Sequence, residues 1–146
     1  MNRKHFLRSL FAGSLGLVAT RGVKATSPTR QMQNNITLCE VYVAGVQHHE
    51  WYRSGMRQNL HVGSMLLVRY EPTNPEDSRA IALYTPDGVQ VGFIPRWINH
   101  IPATLLHNGA LLECTVSKYN AHETHAPWHL IKVMITLSTQ VEQKAV

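Results

Sequence analysis

The side chains in this sequence best suited to chemistry are its histidines, its two cysteines and a few acids and bases near turns. Of 9 histidines, His122, His125 and His129 fall within eight residues, and His48 and His49 are adjacent. Neutral imidazoles bind zinc or copper well, so His122, His125 and His129 are candidate metal ligands. Pro127 interrupts any helix through them, however, and their spacing is not that of HExxH. Solvated loop histidines are therefore the expectation, with no resident metal or other cofactor. Cys39 and Cys114 lie in strand-like runs, and no CxxC or zinc-type spacing accompanies them. They read as buried thiols acting as small apolar groups. A single disulfide becomes possible in an oxidising compartment. Nucleophile elbows, phosphate-cradling glycine loops and Cys/His pairs of catalytic spacing are missing from the sequence. Asp77 with His48 or His49 would make an acid–base pair, but an aspartate that closes a turn is the commoner use. No enzyme is expected.

The elements that would position these residues are mostly strands. Residues 36–46 are rich in β-branched side chains and predict a first strand buried over most of its length. Residues 48–61 are polar, aromatic and irregular. Residues 64–70 predict a second strand, and Pro72, Pro75 and the Asn74-Pro75 step prevent its ladder from continuing. Residues 79–84 and 89–94 flank Thr85-Pro86-Asp87-Gly88, and Asp-Gly between β-rich runs is a strong hairpin signal. Residues 97–107 carry apolar side chains at helical spacing, with Gly109 as a C-terminal cap and Pro102 either splitting the helix or lying in its first turn. Residues 111–119 and 130–137 predict two last strands around a polar loop. The expected fold is mainly β, a small barrel of six strands with one short helix.

The N-terminus has a different character. Arg3, Lys4 and Arg8 precede a short apolar run over residues 10–19, and Val23-Lys24-Ala25 offers small residues for a signal peptidase. Residues 1–25 read as an export signal, resembling a twin-arginine motif with lysine in the second arginine's place. The run is too short and too rich in Gly and Ser to span a bilayer, which takes roughly 20 apolar residues. Residues 26–35 are a polar linker, 36–138 the domain and 139–146 a polar tail. Five of the 14 Lys and Arg lie in residues 1–25, and none of the 9 Asp and Glu does. The formal charge of +5 therefore belongs to the signal, and the remaining 121 residues balance at zero. Basic composition is no argument for a nucleic-acid partner here. The export signal points to the periplasm or cell envelope, and a chain left uncleaved would remain in the cytoplasm.

Between residues 71 and 96 a spaced set stands out: Glu71-Pro72, Asn74-Pro75, Asp77, Ala80-Ile81, Gly88, Val91-Gly92 and Pro95-Arg96. With Val43-Ala44-Gly45-Val46 before it and Leu105-Leu106-His107-Asn108-Gly109 after it, the set resembles the HIRAN domain. That module stands at the N-terminus of SWI2/SNF2 helicase-like transcription factors and also occurs as small free-standing bacterial proteins. The resemblance implies an OB-like groove that binds the 3′ end of single-stranded DNA. It assigns Asp77 to the terminal hydroxyl, Arg96 to a phosphate and Phe93 to base stacking. Gln47, His48 and His49 stand where DNA-binding members carry one basic and two aromatic residues, and Glu76 replaces an aromatic. Trp51, Tyr52 and Trp128 are candidates to restore stacking, with Arg53 and Arg57 adding charge. The ATPase and zinc-binding RING activities of larger members reside in other domains. The resemblance thus implies a binding module for a single-stranded DNA 3′ end. The alternative is an exported envelope module that uses the same groove for another ligand or a protein. A metal-handling role for the histidine loop ranks behind both.

Overall fold

The computed structural model describes residues 34–139. The expected export signal, residues 26–33 of the linker and residues 140–146 of the tail lie outside the described residues.

Six antiparallel strands form one sheet: β1 (Asn34–Tyr42), β2 (Met65–Glu71), β3 (Ala80–Tyr84), β4 (Gln90–Phe93), β5 (Leu112–Tyr119) and β6 (Ile131–Thr139), in the order β1-β6-β5-β2-β3-β4. Two short α-helices accompany them, α1 (Glu50–Arg53) and α2 (His100–His107), so the one helix expected from sequence, α2, is joined by a four-residue turn of helix in the irregular segment. Three short 3-10 turns complete the elements among the described residues, one of them over Val46–His48. The alternation of β6 explains its central place: Ile131, Val133 and Ile135 are fully buried while Lys132 and Met134 are half-exposed. Leu66, Cys114 and Val116 from the neighbouring strands meet them, and Ile81, Leu83, Val91, Ile94, Trp51 and Leu130 extend the same core. Each fully buried aliphatic side chain contributes roughly 1.5–3 kcal/mol.

The sheet is barrel-like without a continuous ladder between its edges. The strand order leaves β1 and β4 as edge strands, and the chain just beyond β1 bends across to β4. There Ala44 donates its N–H to the Phe93 carbonyl at 2.8 Å and accepts the Phe93 N–H at 3.0 Å. Gly92 permits that approach, because a Cβ on it would lie 2.5 Å from the Ala44 carbonyl oxygen and 2.6 Å from Val43 Cγ1.

Several sequence expectations change in detail. β1 begins at Asn34, inside the expected linker, and most of it is exposed, since an edge strand is covered on fewer sides than a central one. Its buried residue is Val41, followed by Val43 just beyond the strand. A disulfide is excluded by register. Cys39 and Cys114 both pair with Ile135, from opposite sides of β6, so two strand spacings of about 4.8 Å separate their backbones. That exceeds the roughly 7 Å limit for Cα atoms of a bridged pair. Both thiols are free. Burial raises both pKa values, that of Cys114 to about 12. The Asp-Gly hairpin forms as expected: Gly88 takes φ 89°, its N–H reaching the Thr85 carbonyl at 2.9 Å. Helix α2 starts later than residue 97 because residues 95–98 form a turn, Ile98 N–H to Pro95 O at 3.1 Å. Pro102 sits in the first turn of α2, where no intrahelical donor is lost. Among the described residues, no helix is long and apolar enough to cross a membrane.

Candidate functional site

The segment joining β2 to β3 starts and ends on one rung of the ladder, Glu71 opposite Ala80. Within it, Pro72 and Pro75 have no N–H to offer, and side chains close the turns instead. Asn74 Oδ1 accepts the Glu76 N–H at 3.0 Å, while Asn74 Nδ2 donates to Glu71 Oε2 at 3.1 Å. Asp77 Oδ1 accepts the Arg79 N–H at 2.9 Å, and the Asp77 carbonyl accepts the Ala80 N–H at 2.9 Å. The turn-closing role expected of Asp77 is present, and Asn74 closes a turn beside it.

Asp77 has a second set of partners. Its Oδ2 accepts a hydrogen bond from Asn99 Nδ2 at 2.7 Å and lies 3.8 Å from Arg96 Nε. Arg79 Nε is 4.0 Å from Oδ1. The Arg79 backbone bond, more than any other cause, holds the carboxyl below the ordinary range. The Asn99 bond and the charges of Arg96 and Arg79 act in the same sense, against burial. At neutral pH Asp77 is therefore ionised and purely an acceptor, with lone pairs remaining on both oxygens. Its side chain is 14% exposed, so a small donor can still reach it.

Arg96 crosses the same loop. It donates from Nη2 to the Glu76 carbonyl at 2.8 Å, yet its side chain is 72% exposed. Phe93, in β4, lines a shallow cleft with Asp77, Arg96, Asn74, Glu76 and Ala44. The His49 ring meets Phe93 edge-on, centroids 5.4 Å apart. Burial lowers the His49 pKa, helped by His48 and Arg53 and opposed by Glu71. His49 therefore offers a neutral ring at pH 7 rather than a charge. The carboxylate whose charge acts on it is that of Glu71, and Asp77 is held by Asn99 and the two arginines.

The structure thus gathers Asp77, Arg96 and Phe93 into one cleft and brings His49 onto Phe93. Gln47 and His48 stay on the neighbouring 3-10 turn, Gln47 Nε2 and His48 Nε2 being 3.1 Å apart. Of the aromatics expected to restore stacking, Trp51 is fully buried in the core and has no face to offer. Tyr52 carries the Arg57 guanidinium 3.7 Å above its ring. Trp128 is 55% exposed. Glu123 Oε1 organises the histidine loop by accepting the N–H groups of His125 and Ala126, each at 2.8 Å. The His129 ring packs on Tyr42 at 4.8 Å, and His122 and His125 point to solvent. Among the described residues, no three His, Cys, Asp or Glu side chains converge as metal ligands would.

Two residues escaped the sequence reading. Asn99, 1% exposed, was absorbed into the helix pattern, and Trp97, 78% exposed, follows Arg96 directly. An Asn at a buried position of an apolar helical repeat was the available signal for the first. A Trp among positions that face water was the signal for the second.

Comparison with known proteins agrees with the fold. The HIRAN domain family model matches residues 36–142. Among solved structures, a protein from Lactobacillus plantarum is similar with a TM-score of 0.63 and 24% identity, over 73% of this chain and 97% of that one. The crystal structure of the HIRAN domain of human HLTF is similar with a TM-score of 0.57 and 19% identity, over 74% of this chain and 82% of that one. No curated protein matches the chain.

Proposed function

From the premise that this chain belongs to the HIRAN domain family, we propose that it is a non-enzymatic nucleic-acid-binding module whose cleft takes the 3′ end of a single strand. The observation that carries the reading is the Asp77 carboxylate, ionised, partly accessible and flanked by Arg96 in a cleft walled by Phe93. A terminal ribose or deoxyribose hydroxyl is a donor, and an ionised carboxylate with free lone pairs is its natural acceptor. An exposed guanidinium beside it suits the adjoining phosphate, for which arginine's planar fork is well shaped. The Phe93 edge and the neutral His49 ring supply an apolar wall for the last base, and a stacked base contributes about 1–3 kcal/mol. The lowered pKa of Asp77 makes it a weak base near neutrality, which suits an acceptor better than a general base.

Fluorescence anisotropy with single-stranded oligonucleotides carrying free or phosphate-blocked 3′ ends tests this directly. The free end should bind more tightly. Asp77→Ala should erase that preference, at a cost of about 1.5–3 kcal/mol for a hydrogen bond to a charged group. The same measurement separates a second reading, supported by the order of charged, apolar and small residues in 1–25 and by the acid at Glu76. On that reading the protein is exported to the envelope and its cleft holds a ligand other than nucleic acid. Equal affinity for free and blocked ends, or no binding at modest salt, would favour it over end recognition.

A further inference from the structure

Residues 95–106 bury one side and leave the other bare. Pro95, Ile98, Asn99, Pro102, Ala103 and Leu106 face inward, fully or in part, whereas Arg96, Trp97, His100, Ile101 and Thr104 are exposed. Trp97 and Ile101, four residues apart, are 78% and 64% exposed, so the largest side chain on this face serves no core. Two guanidiniums extend from the cleft along it, with the His100 ring beyond them. Arg96 Nε lies 3.8 Å from Asp77 Oδ2, Arg79 Nε lies 4.0 Å from Oδ1, and Arg79 Nη1 lies 3.3 Å from His100 Nδ1. Neither guanidinium is used up by Asp77, since their side chains remain 72% and 49% exposed. No acidic residue occurs between Asp87 and Glu113, so this helical face carries only positive or neutral groups. The acids of the neighbourhood, Glu71, Glu76 and Asp77, all belong to the β2–β3 segment at the cleft end.

Building on the end-binding reading, we propose that this face carries the single strand upstream of its terminal nucleotide, with Trp97 stacking a base and Arg79 and His100 following the backbone. The pairing of a solvent-facing indole with a line of cations is what a single strand requires: an aromatic platform that any base can use, and charge along the phosphates. An apolar protein partner would be served by Trp97 and Ile101 but not by the two guanidiniums beside them. The continuity through Asp77 makes the face an extension of the cleft rather than a separate site.

The test uses the full chain and 5′-labelled oligothymidylates of two, four and eight nucleotides with free 3′ hydroxyls. Wild-type affinity should rise with length. Trp97→Ala should remove most of that gain, weakening the longest oligonucleotide roughly five- to 150-fold while leaving the shortest unchanged. Trp97→Phe should retain most of the gain, and Arg79→Ala should flatten the salt dependence. Trp97 makes no core contact, so unchanged thermal unfolding of the variants would confirm an intact fold. Equal affinity of wild type and Trp97→Ala for the eight-mer, or no gain with length, overturns the proposal while a free-hydroxyl preference still upholds end binding. A length gain lost in Trp97→Ala without any preference for free ends upholds the face and sinks end binding. Absence of binding to every oligonucleotide sinks both.

Discussion

Asn99 stands where an asparagine would ordinarily cap α2, yet its side chain makes no capping bond. Its Oδ1 is buried without a partner, an arrangement that costs about 1–3 kcal/mol. What the side chain does is donate to Asp77 Oδ2 at 2.7 Å. The opposite amide orientation would set two acceptors against each other, so the ionised carboxylate dictates the one observed. The loss of capping and the orphaned oxygen are both explained if Asn99 is there to orient Asp77. Replacing it with Ala removes one donor from Asp77 and relieves the orphaned acceptor, so the net change in stability should stay within about 1–2 kcal/mol. The binding consequence should be larger in proportion: the ratio of affinities for free and blocked 3′ ends falls, while affinity for blocked ends holds. Acid provides an independent readout. The folded-state pKa of Asp77 is depressed, so its ionisation favours the folded state above the ordinary carboxylate range, and that contribution is lost as pH falls through the folded value. In Asn99→Ala the folded value should be less depressed, so the loss should be smaller and complete at higher pH, which denaturant midpoints across an acid pH series would reveal. Coincident acid profiles for the two proteins would mean that Asn99 does not hold the carboxylate.

At the scale of elements, the meeting of the β1 edge with the β4 edge decides whether a cleft exists at all. Phe93, one wall of the site, bonds to Ala44 through both its N–H and its carbonyl, and the preceding Gly92 has no room for a methyl group. Gly92→Ala would force Ala44 and Val43 away, separate the two edges and tilt Phe93 from His49. Overpacking of this kind costs about 1–3 kcal/mol, so a lowered melting temperature should accompany a general loss of oligonucleotide affinity. A variant with unaltered melting would show that the bridge is dispensable. Part of the fold was legible in the sequence: the hairpin from Asp87-Gly88, and the turn-closing use of Asp77 from its residue type. These are local rules, each satisfied within a few residues. The features that were not readable depend on pairing across the chain. The exposure of β1 follows from its place as an edge, and the separation of Cys39 from Cys114 follows from β6 lying between them. The burial of Trp51 depends on packing that local spacing does not reveal.

For the molecule as a whole, the question is which part of the chain generates any attraction to a polyanion. The sequence isoelectric point near 9.5 reflects Arg3, Lys4, Arg8, Arg21 and Lys24, while residues 26–146 carry nine Lys and Arg against nine Asp and Glu. Counterion release scales with the phosphates neutralised, about 0.7 in the log–log salt slope per contact for a single strand. The five N-terminal cations can therefore steepen the slope of the full chain by up to roughly 3.5, and they would do so for any strand, free-ended or blocked. Arg96 and Arg79 act differently, because both lie against the one carboxylate of the cleft. Deleting residues 1–25 should thus lower affinity at low salt and flatten the salt slope, yet leave the ratio of affinities for free and blocked 3′ ends unchanged. Anisotropy titrations of both forms across a salt series measure the two quantities separately. If the ratio collapsed together with the slope, selectivity would be coming from the basic N-terminus, and the cleft around Asp77 would lose its claim to the strand end.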